Sequence, residues 1–172
     1  MLLNDAQLED YAEDNISPMT HVKIGPSSID LSLSGSYSQI VPAKNVIILG
    51  EPVGYIKFDS GIYCLQPNEF ILASTNEYLN IPDDKAGYVE GRSSIGRIGL
   101  QVQNASFIDA GFEGQITLEL NNQSKYPILL KPGVRICQLV LFEMTGPAQQ
   151  PYCGKYQGQR GATASKLEKD NN

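Results

Sequence analysis

Two arginines, two adjacent serines and three glycines are concentrated in a single segment of the chain, residues 89–100. Arginine presents a planar fork of hydrogen-bond donors that matches the oxygens of a phosphate group. Glycine lets the backbone approach a ligand closely, and serine hydroxyls add donors without bulk. The residue types in this segment therefore favour the binding of a polyanion.

A second group that could do chemistry is the carboxylate of Glu119, which lies in the alternating stretch of residues 115–120. Period-two alternation places Glu119 on the polar face of a strand. That position fits either a solvated surface or a pocket in which burial raises the pKa of a general base. Asp109, in a turn flanked by aromatic residues, could likewise stabilise the turn or bind a sugar or a water molecule. Asp30 could likewise have either a structural or a ligand-binding role.

The inventory of cysteine and histidine argues against zinc chemistry. The chain has one histidine, His21, and three cysteines with no C-x-x-C pair. Zinc-dependent deaminases need an H-x-E element and a P-C-x-x-C element, and structural zinc sites need four ligands. We therefore expect any hydrolytic reaction to activate water without zinc. The odd, widely spaced cysteines are expected to be the reduced thiols of a cytoplasmic protein.

The composition of the 172-residue chain is typical of a single globular domain, with 41% hydrophobic and 19% charged residues. Its net charge of −6 argues against general binding to nucleic acid or to anionic membranes. No apolar run approaches the length of a membrane-spanning helix. A small anionic ligand is compatible with this charge, because an arginine cluster acts locally.

The elements that must position these groups are mostly strands. A helix is predicted within residues 1–16, capped by Asn4 or Asp5 and ended by Ser17-Pro18. A second, short helix can begin near Ser93 with its N-terminus facing an anion. Short strands bounded by turn residues are predicted at residues 29–34, 46–49, 70–73, 115–120 and 136–142. This pattern predicts a mainly β sandwich or jelly roll.

The composition changes after Gly154 to a mixture of glycine, glutamine and cationic residues. Tails of this kind are usually disordered in isolation. The same residue types would also suit a segment that a ligand orders. Composition alone leaves both interpretations open.

Residues 89–100 closely resemble the phosphate-binding signature of dCTP deaminases, which belong to the dUTPase-like superfamily. Further blocks resemble the family in the same order, at residues 26–33, 65–75, 107–120 and 154–162. The chain is therefore identified as a member of this family.

The resemblance implies a distorted β jelly roll of the dUTPase-like type with a short N-terminal helix. A single domain would span residues 1–172, with the helix in residues 1–16 and a flexible C-terminal closing segment in residues 154–172. Family members are homotrimers whose active sites lie between subunits. Magnesium is expected to arrive with the nucleotide triphosphate rather than on direct protein ligands, and dTTP is a feedback inhibitor of some members.

The resemblance also implies roles for individual residues around a bound dCTP molecule. The loop residues hold the triphosphate, the tail closes over it, Asp109 binds the 3′-hydroxyl of the deoxyribose, and backbone groups at Thr117 and Leu118 read the base. The implied catalytic residues are Glu119, Arg97, Ser93 and Asp109. The implied substrate-binding residues are Arg92, Ser94, Gly96, Ala105, Thr117, Leu118, Gln138, Tyr152, Lys155 and Gln159.

Glu119 matches the catalytic glutamate of the family. Cytosine C4 is a weak electrophile, so water must lose a proton as it attacks, N3 must gain one, and the amine must leave as ammonia. One carboxylate that first accepts and then donates can carry these transfers without a metal. By resemblance, Ser93 and the Ala105 carbonyl orient the water. Arg97 supports the developing charge and, if it lies nearby, favours the ionised form of Glu119.

Three further likenesses concern the product. Ordinary dUTPases lack the glutamate that matches Glu119, and they use an aspartate at the position of Asp109 to activate the water that attacks the α-phosphate. A subset of the family performs both steps and releases dUMP and pyrophosphate. The chain resembles that subset at Ser106-Phe107, at Gln138 and in residues 154–156. We expect the coupled reaction, and its alternatives are deamination alone, dUTP hydrolysis alone and a non-catalytic nucleotide-binding regulator.

Overall fold

A computed structural model describes residues 1–42, 46–103 and 107–171. Its helices are α1 (Asp5–Asn15), the single turn α2 (Ser93–Gly96) and a C-terminal 3-10 helix (Leu167–Asn171). The first six strands are β1 (Ile16–Ser17), β2 (Lys23–Ile24), β3 (Ile29–Ile40), β4 (Tyr55–Asp59), β5 (Tyr63–Leu65) and β6 (Phe70–Asn80). The remaining strands are β7 (Lys85–Gly91), β8 (Leu100–Gln103), β9 (Phe107–Ile108), β10 (Glu113–Asn122), β11 (Ile128–Leu130) and β12 (Arg135–Glu143).

The N-terminal helix begins where its capping residues predict. The Asn4 side chain accepts a hydrogen bond from the backbone N–H of Gln7, and the Gln7 side chain accepts one from the N–H of Asn4. This reciprocal pair satisfies two N–H groups that the first helical turn leaves free. Leu8 and Tyr11 are buried on the inner face of α1. The predicted N-terminal helix is confirmed, and no helix in the described part of the chain is long and apolar enough to cross a membrane.

The main sheet is antiparallel and runs in the order β8-β10-β6-β3-β12-β7-β9. The long strand β3 connects its two halves, because it pairs with β12 through residues 29–32 and with β6 and β4 further along. Register shifts in both β3 pairings mark places where the sheet changes direction. The curled sheet encloses a core of aliphatic residues that includes Leu31, Leu33 and Leu118. The predicted mainly β fold is confirmed.

Four of the five predicted strands are confirmed and extend beyond the runs from which they were inferred, and one is wrong. Residues 29–34 form the first half of β3, residues 70–73 the start of β6, residues 115–120 the centre of β10, and residues 136–142 almost all of β12. Residues 46–49, by contrast, form a bend and a turn, and the exposed fraction of their side chains ranges from 46% at Ile48 to 86% at Leu49. None of the strands in the described part of the chain pairs with them, so their apolar composition produces no strand.

Candidate active site

Glu119 lies in the middle of β10, between Gln103 on β8 and Leu72 on β6. Buried and partly exposed residues alternate along this strand, as the period-two pattern predicts. Glu119 is half-buried, and desolvation raises the pKa of its carboxyl above the usual value for glutamate. A carboxyl group whose pKa is raised is, once ionised, a stronger proton acceptor than an exposed glutamate. Of the two interpretations of this position, the structure therefore favours the pocket.

Glu119 borders two cavities, and no other described residue lines both. The first, here called the tail cavity, has a volume of about 500 Å³ and is lined by residues of β6 and β10, the Asp109 turn and the C-terminal tail. The second, called the loop cavity, has a volume of about 610 Å³ and is lined by β8, the end of β7 and the 89–100 segment. The carboxylate thus stands at the junction between a largely apolar chamber and a polar one.

The loop cavity contains part of the predicted phosphate-binding set. Arg92, Ser93 and Gly96 line it, because β7 ends at Gly91 and the chain then turns through α2. Ser94 and Arg97 are exposed on the same turn and line neither cavity. Within one chain, the raised pKa of Glu119 is caused by burial, with no contribution from Arg97.

A buried carboxylate that the sequence left ambiguous anchors this loop. Asp30 is 7% exposed, and its Oδ2 lies 3.3 Å from Nε of Arg92 and 3.2 Å from Nη1 of Arg135. Gln138 donates from Nε2 to the other carboxylate oxygen at 3.0 Å. One carboxylate thus pairs with two guanidinium groups, and of these Arg92 lines the loop cavity. Only the folded chain brings these partners together, since Arg135 is 105 positions from Asp30.

Replacement of Asp30 by Asn is expected to destabilise the protein by about 2 kcal/mol, because two partly buried guanidinium groups lose their shared counter-ion. The measurement is urea unfolding at neutral pH. A matched control is Asp84→Asn, since Asp84 pairs with Lys85 at 2.9 Å but its side chain is 41% exposed. The control should cost less than about 0.5 kcal/mol. Equal losses in the two variants would contradict the anchoring role of Asp30.

Asp109 and Tyr152 reach the tail cavity through one turn after β9. Phe112 closes the turn by donating its N–H to the Asp109 carbonyl, and Gly111 occupies the left-handed region at φ +84°. The backbone N–H of Tyr152 donates to the Ala110 carbonyl at 2.8 Å, and the Tyr152 ring packs 5.8 Å from that of Phe112. Asp109 is exposed at the cavity wall, where it can meet a ligand.

The C-terminal tail contributes Gln159 to the tail cavity but not Lys155. Gln159 donates from Nε2 to the Gln115 carbonyl at 2.7 Å. The ammonium group of Lys155 forms an ion pair with Asp170, which raises the pKa of the lysine, and it lies over the ring of Tyr156. The tail is thus docked against the sheet, and its Lys155 is paired with Asp170 of the same tail.

The remaining predicted residues fall into three groups. Thr117 lines the tail cavity, whereas Leu118 points into the core and is fully buried, so that only its backbone could meet a base. Gln138 belongs to the Asp30 cluster and lines neither cavity. Ala105, together with Ser106, lies outside the described residues.

Comparison with known proteins places the chain in a family. The model of the family described as "dCTP deaminase-like" matches residues 2–144. The chain is 45% identical to the protein named "dCTP deaminase, dUMP-forming" of Persephonella marina, over 99% of this chain and 100% of that one. It is 39% identical to the protein of the same name in Aquifex aeolicus, over 99% of this chain and 97% of that one.

The fold comparison agrees with the sequence comparison. The crystal structure of 2′-deoxycytidine 5′-triphosphate deaminase from Agrobacterium tumefaciens superimposes with a TM-score of 0.63 at 21% identity. The match covers 81% of this chain and 46% of that chain, so this chain spans just under half the length of the solved protein. This likeness concerns the fold, and the sequence matches concern descent. The chain belongs to the dCTP deaminase family.

Proposed function

We propose that this chain is a dCTP deaminase that exchanges the C4 amino group of dCTP for oxygen and then hydrolyses the triphosphate, releasing dUMP and pyrophosphate. The observation that carries the proposal is the half-buried Glu119, which stands between an apolar cavity and a cavity edged by arginine and serine. The two relatives compared above over almost their full length are both named dUMP-forming.

The deamination step assigns Glu119 two opposite tasks. A water oxygen bonds to C4 while Glu119 accepts a proton from the water and passes it to N3. The remaining hydroxyl proton then moves through the carboxylate to the amino group, the C4–N bond breaks, and ammonia leaves as the C4 carbonyl forms. Burial raises the pKa of Glu119, so its ionised carboxylate accepts a proton from water more readily than an exposed glutamate does. Ser93, which lines the same cavity, can orient the water.

The second step, hydrolysis of the triphosphate, uses Asp109 in the wall of the tail cavity. Asp109 accepts a proton from a water molecule that attacks the α-phosphorus, and the bond from that phosphorus to the bridging oxygen of the β-phosphate breaks, which releases pyrophosphate. Arg92, positioned by Asp30, offsets the charge on the phosphate chain. Magnesium belongs to the substrate in this scheme, bound to the phosphate oxygens of the nucleotide.

We further propose a homotrimer in which neighbouring chains complete the sites. Ser94 and Arg97 are exposed and line neither cavity of their own chain, so they are free to reach the triphosphate bound by a neighbouring subunit. dTTP, which shares the triphosphate and deoxyribose of the substrate, is the candidate feedback inhibitor. The free cysteines Cys64 and Cys153 are exposed, which suits the reducing cytoplasm.

The product assay tests the proposal directly. Purified protein is incubated with dCTP and magnesium, and the nucleotides are separated by ion exchange while pyrophosphate and ammonia are measured. We expect dUMP and pyrophosphate without accumulation of free dUTP. Accumulating dUTP would replace the coupled reaction with deamination alone. Unchanged dCTP beside rapid hydrolysis of added dUTP would overturn the deaminase proposal, and binding without turnover of either nucleotide would favour a regulator.

The pH dependence of kcat is expected to show an acid limb above the ordinary glutamate pKa of about 4.3. Burial raises the pKa of Glu119, so its carboxyl stays protonated at a pH where an exposed glutamate is ionised. The protonated form cannot accept the proton of water, and kcat therefore rises as pH increases through the raised pKa. Measuring kcat at saturating dCTP reports the bound complex rather than titration of free nucleotide. A limb at the ordinary glutamate value would contradict this assignment.

A further inference from the structure

Three consecutive backbone N–H groups of the C-terminal tail each donate to a side-chain oxygen of the main sheet. Gly161 donates to Oε1 of Gln115 at 2.6 Å. Ala162 donates to Oγ of Ser36 at 3.2 Å, and Thr163 donates to Oγ1 of Thr117 at 3.1 Å. Buried backbone N–H groups need partners, and these three find theirs in side chains rather than in a strand. We call Gln115, Ser36 and Thr117 the tail latch.

The latch binds the tail just after the residues that pair with β10 through backbone hydrogen bonds. Gly158 donates its N–H to the Glu113 carbonyl at 2.8 Å, and Gln115 donates its N–H to the Gln159 carbonyl at 3.0 Å. A parallel bridge joins Gly114 to Gln159 at the same place. The tail therefore begins as a short parallel neighbour of β10 and is then held by side chains as it crosses the sheet towards β3.

Gln115 is the central member of the latch. Its Nε2 donates to the Asn76 carbonyl on β6 at 3.1 Å, which fixes the orientation of the amide and directs Oε1 to Gly161. Its backbone carbonyl also accepts from the side chain of Gln159 at 2.7 Å. One side chain thereby connects two strands and the tail.

The docked tail fits closely at the latch. Ala162 is fully buried. Gly161 lies in the left-handed region at φ +64°, and a Cβ at this position would lie 2.6 Å from Oγ of Ser36. Only glycine combines that backbone conformation with that approach. The docking site of the tail therefore requires glycine at position 161.

The latch is adjacent to the catalytic carboxylate. Thr117 is two residues before Glu119 on the same face of β10 and lines the tail cavity with it. Ala164 and Ser165, which follow the three tail residues held by the latch, line the same cavity. Where the latch holds the tail determines where this wall of the cavity stands.

We propose that Gln115, Ser36 and Thr117 are positioning residues that set the equilibrium between the docked and released tail and so the closure of the tail cavity beside Glu119. The effect on docking is independent of the reaction. The effect on turnover rests on the proposed deaminase function.

The first test measures docking without nucleotide, by amide hydrogen exchange of residues 161–163 in the full-length protein. Gln115→Met keeps the length of the side chain and removes its hydrogen bonds, and Thr117→Val keeps shape and removes the hydroxyl. Each is expected to speed exchange at these amides about fivefold to tenfold, the usual worth of one hydrogen bond. Thr117→Ser restores the acceptor and should restore protection. Wild-type exchange in both Gln115→Met and Thr117→Val would overturn the proposal.

The second test measures kcat and KM for dCTP in Gln115→Met and in Ser36→Ala. Ser36 lies on β3 and does not line the tail cavity. We expect KM to rise in inverse proportion to the docked fraction, reaching about twofold when half of the tails are released, with little change in kcat. Gln39→Met, at an exposed position of β3, is the matched control and should leave both constants unchanged. Faster exchange with unchanged KM would refute control of closure, whereas absence of dCTP turnover in the wild type would refute only the proposed function.

Discussion

Replacement of Glu119 by Gln should abolish dCTP deamination while leaving dCTP binding intact. Glutamine matches the shape of glutamate but cannot accept a proton from water, so the loss should reach about 10²- to 10⁴-fold, the usual contribution of a general base. The measurements are ammonia release in single turnovers and nucleotide binding by calorimetry. A variant that turns over at nearly the wild-type rate would remove Glu119 from the mechanism.

The same substitution should make the folded protein more stable at neutral pH. Burial raises the pKa of Glu119, so the carboxyl group holds its proton more tightly in the folded protein than in the unfolded chain. The resulting stabilisation is complete below the unfolded pKa and is lost as pH rises through the folded pKa. Glutamine is neutral at every pH, so the melting temperature of Glu119→Gln should exceed that of the wild type at pH 8 and approach it in acid. A lower melting temperature at pH 8 would show that the carboxylate has a favourable partner in the assembled enzyme.

Deletion of residues 155–172 is expected to lower kcat/KM for dCTP by at least about 100-fold without unfolding the sheet. The deletion removes Gln159 and the tail wall of the cavity, and misplacement of groups around a reacting centre costs about this much. The sheet should persist, because all of the described strands lie before residue 144 and the tail docks onto them from outside through the Gly114–Gln159 bridge and the latch. Circular dichroism and urea unfolding check the fold, and steady-state kinetics check the activity.

The matched control removes only residues 167–172, which include the 3-10 helix and the partner of Lys155. This shorter deletion leaves the tail latch in place and should retain most of the activity. Normal kinetics after the longer deletion would show the tail to be a passive chain end. Loss of cooperative unfolding would instead make it part of the fold.

Local sequence pattern predicted much of the scaffold around the site. Alternation placed Glu119 on the polar face of its strand, and an Asn4 cap placed the first helix. Alternation could not decide between solvent and pocket, because the burial of Glu119 comes from strands and a tail that are distant in sequence. The wrong strand at residues 46–49 has the same cause, since an apolar run becomes a strand only where a neighbour exists to pair with it.

Long-range partners explain what the sequence left open at the phosphate side. Asp30 is an ordinary acid in an alternating strand until the fold brings Arg92 and Arg135 to it. Gln115 likewise reads as one more polar residue of β10, and its three-way contact depends on β6 and the tail. A motif can identify residues that meet a ligand, but residues that hold those groups in place have no comparable local signature.

The side-chain acceptors of the tail have a consequence for protein engineering. A tail grafted onto this chain from a relative would bring its own backbone N–H groups, but their acceptors would be the host's side chains at positions 36, 115 and 117. Strand pairing accepts almost any sequence, whereas this docking depends on the identity of three distant side chains. For this chain, we expect a chimera with a foreign tail to work only when the acceptor residues at these three positions are transferred together with the segment they receive.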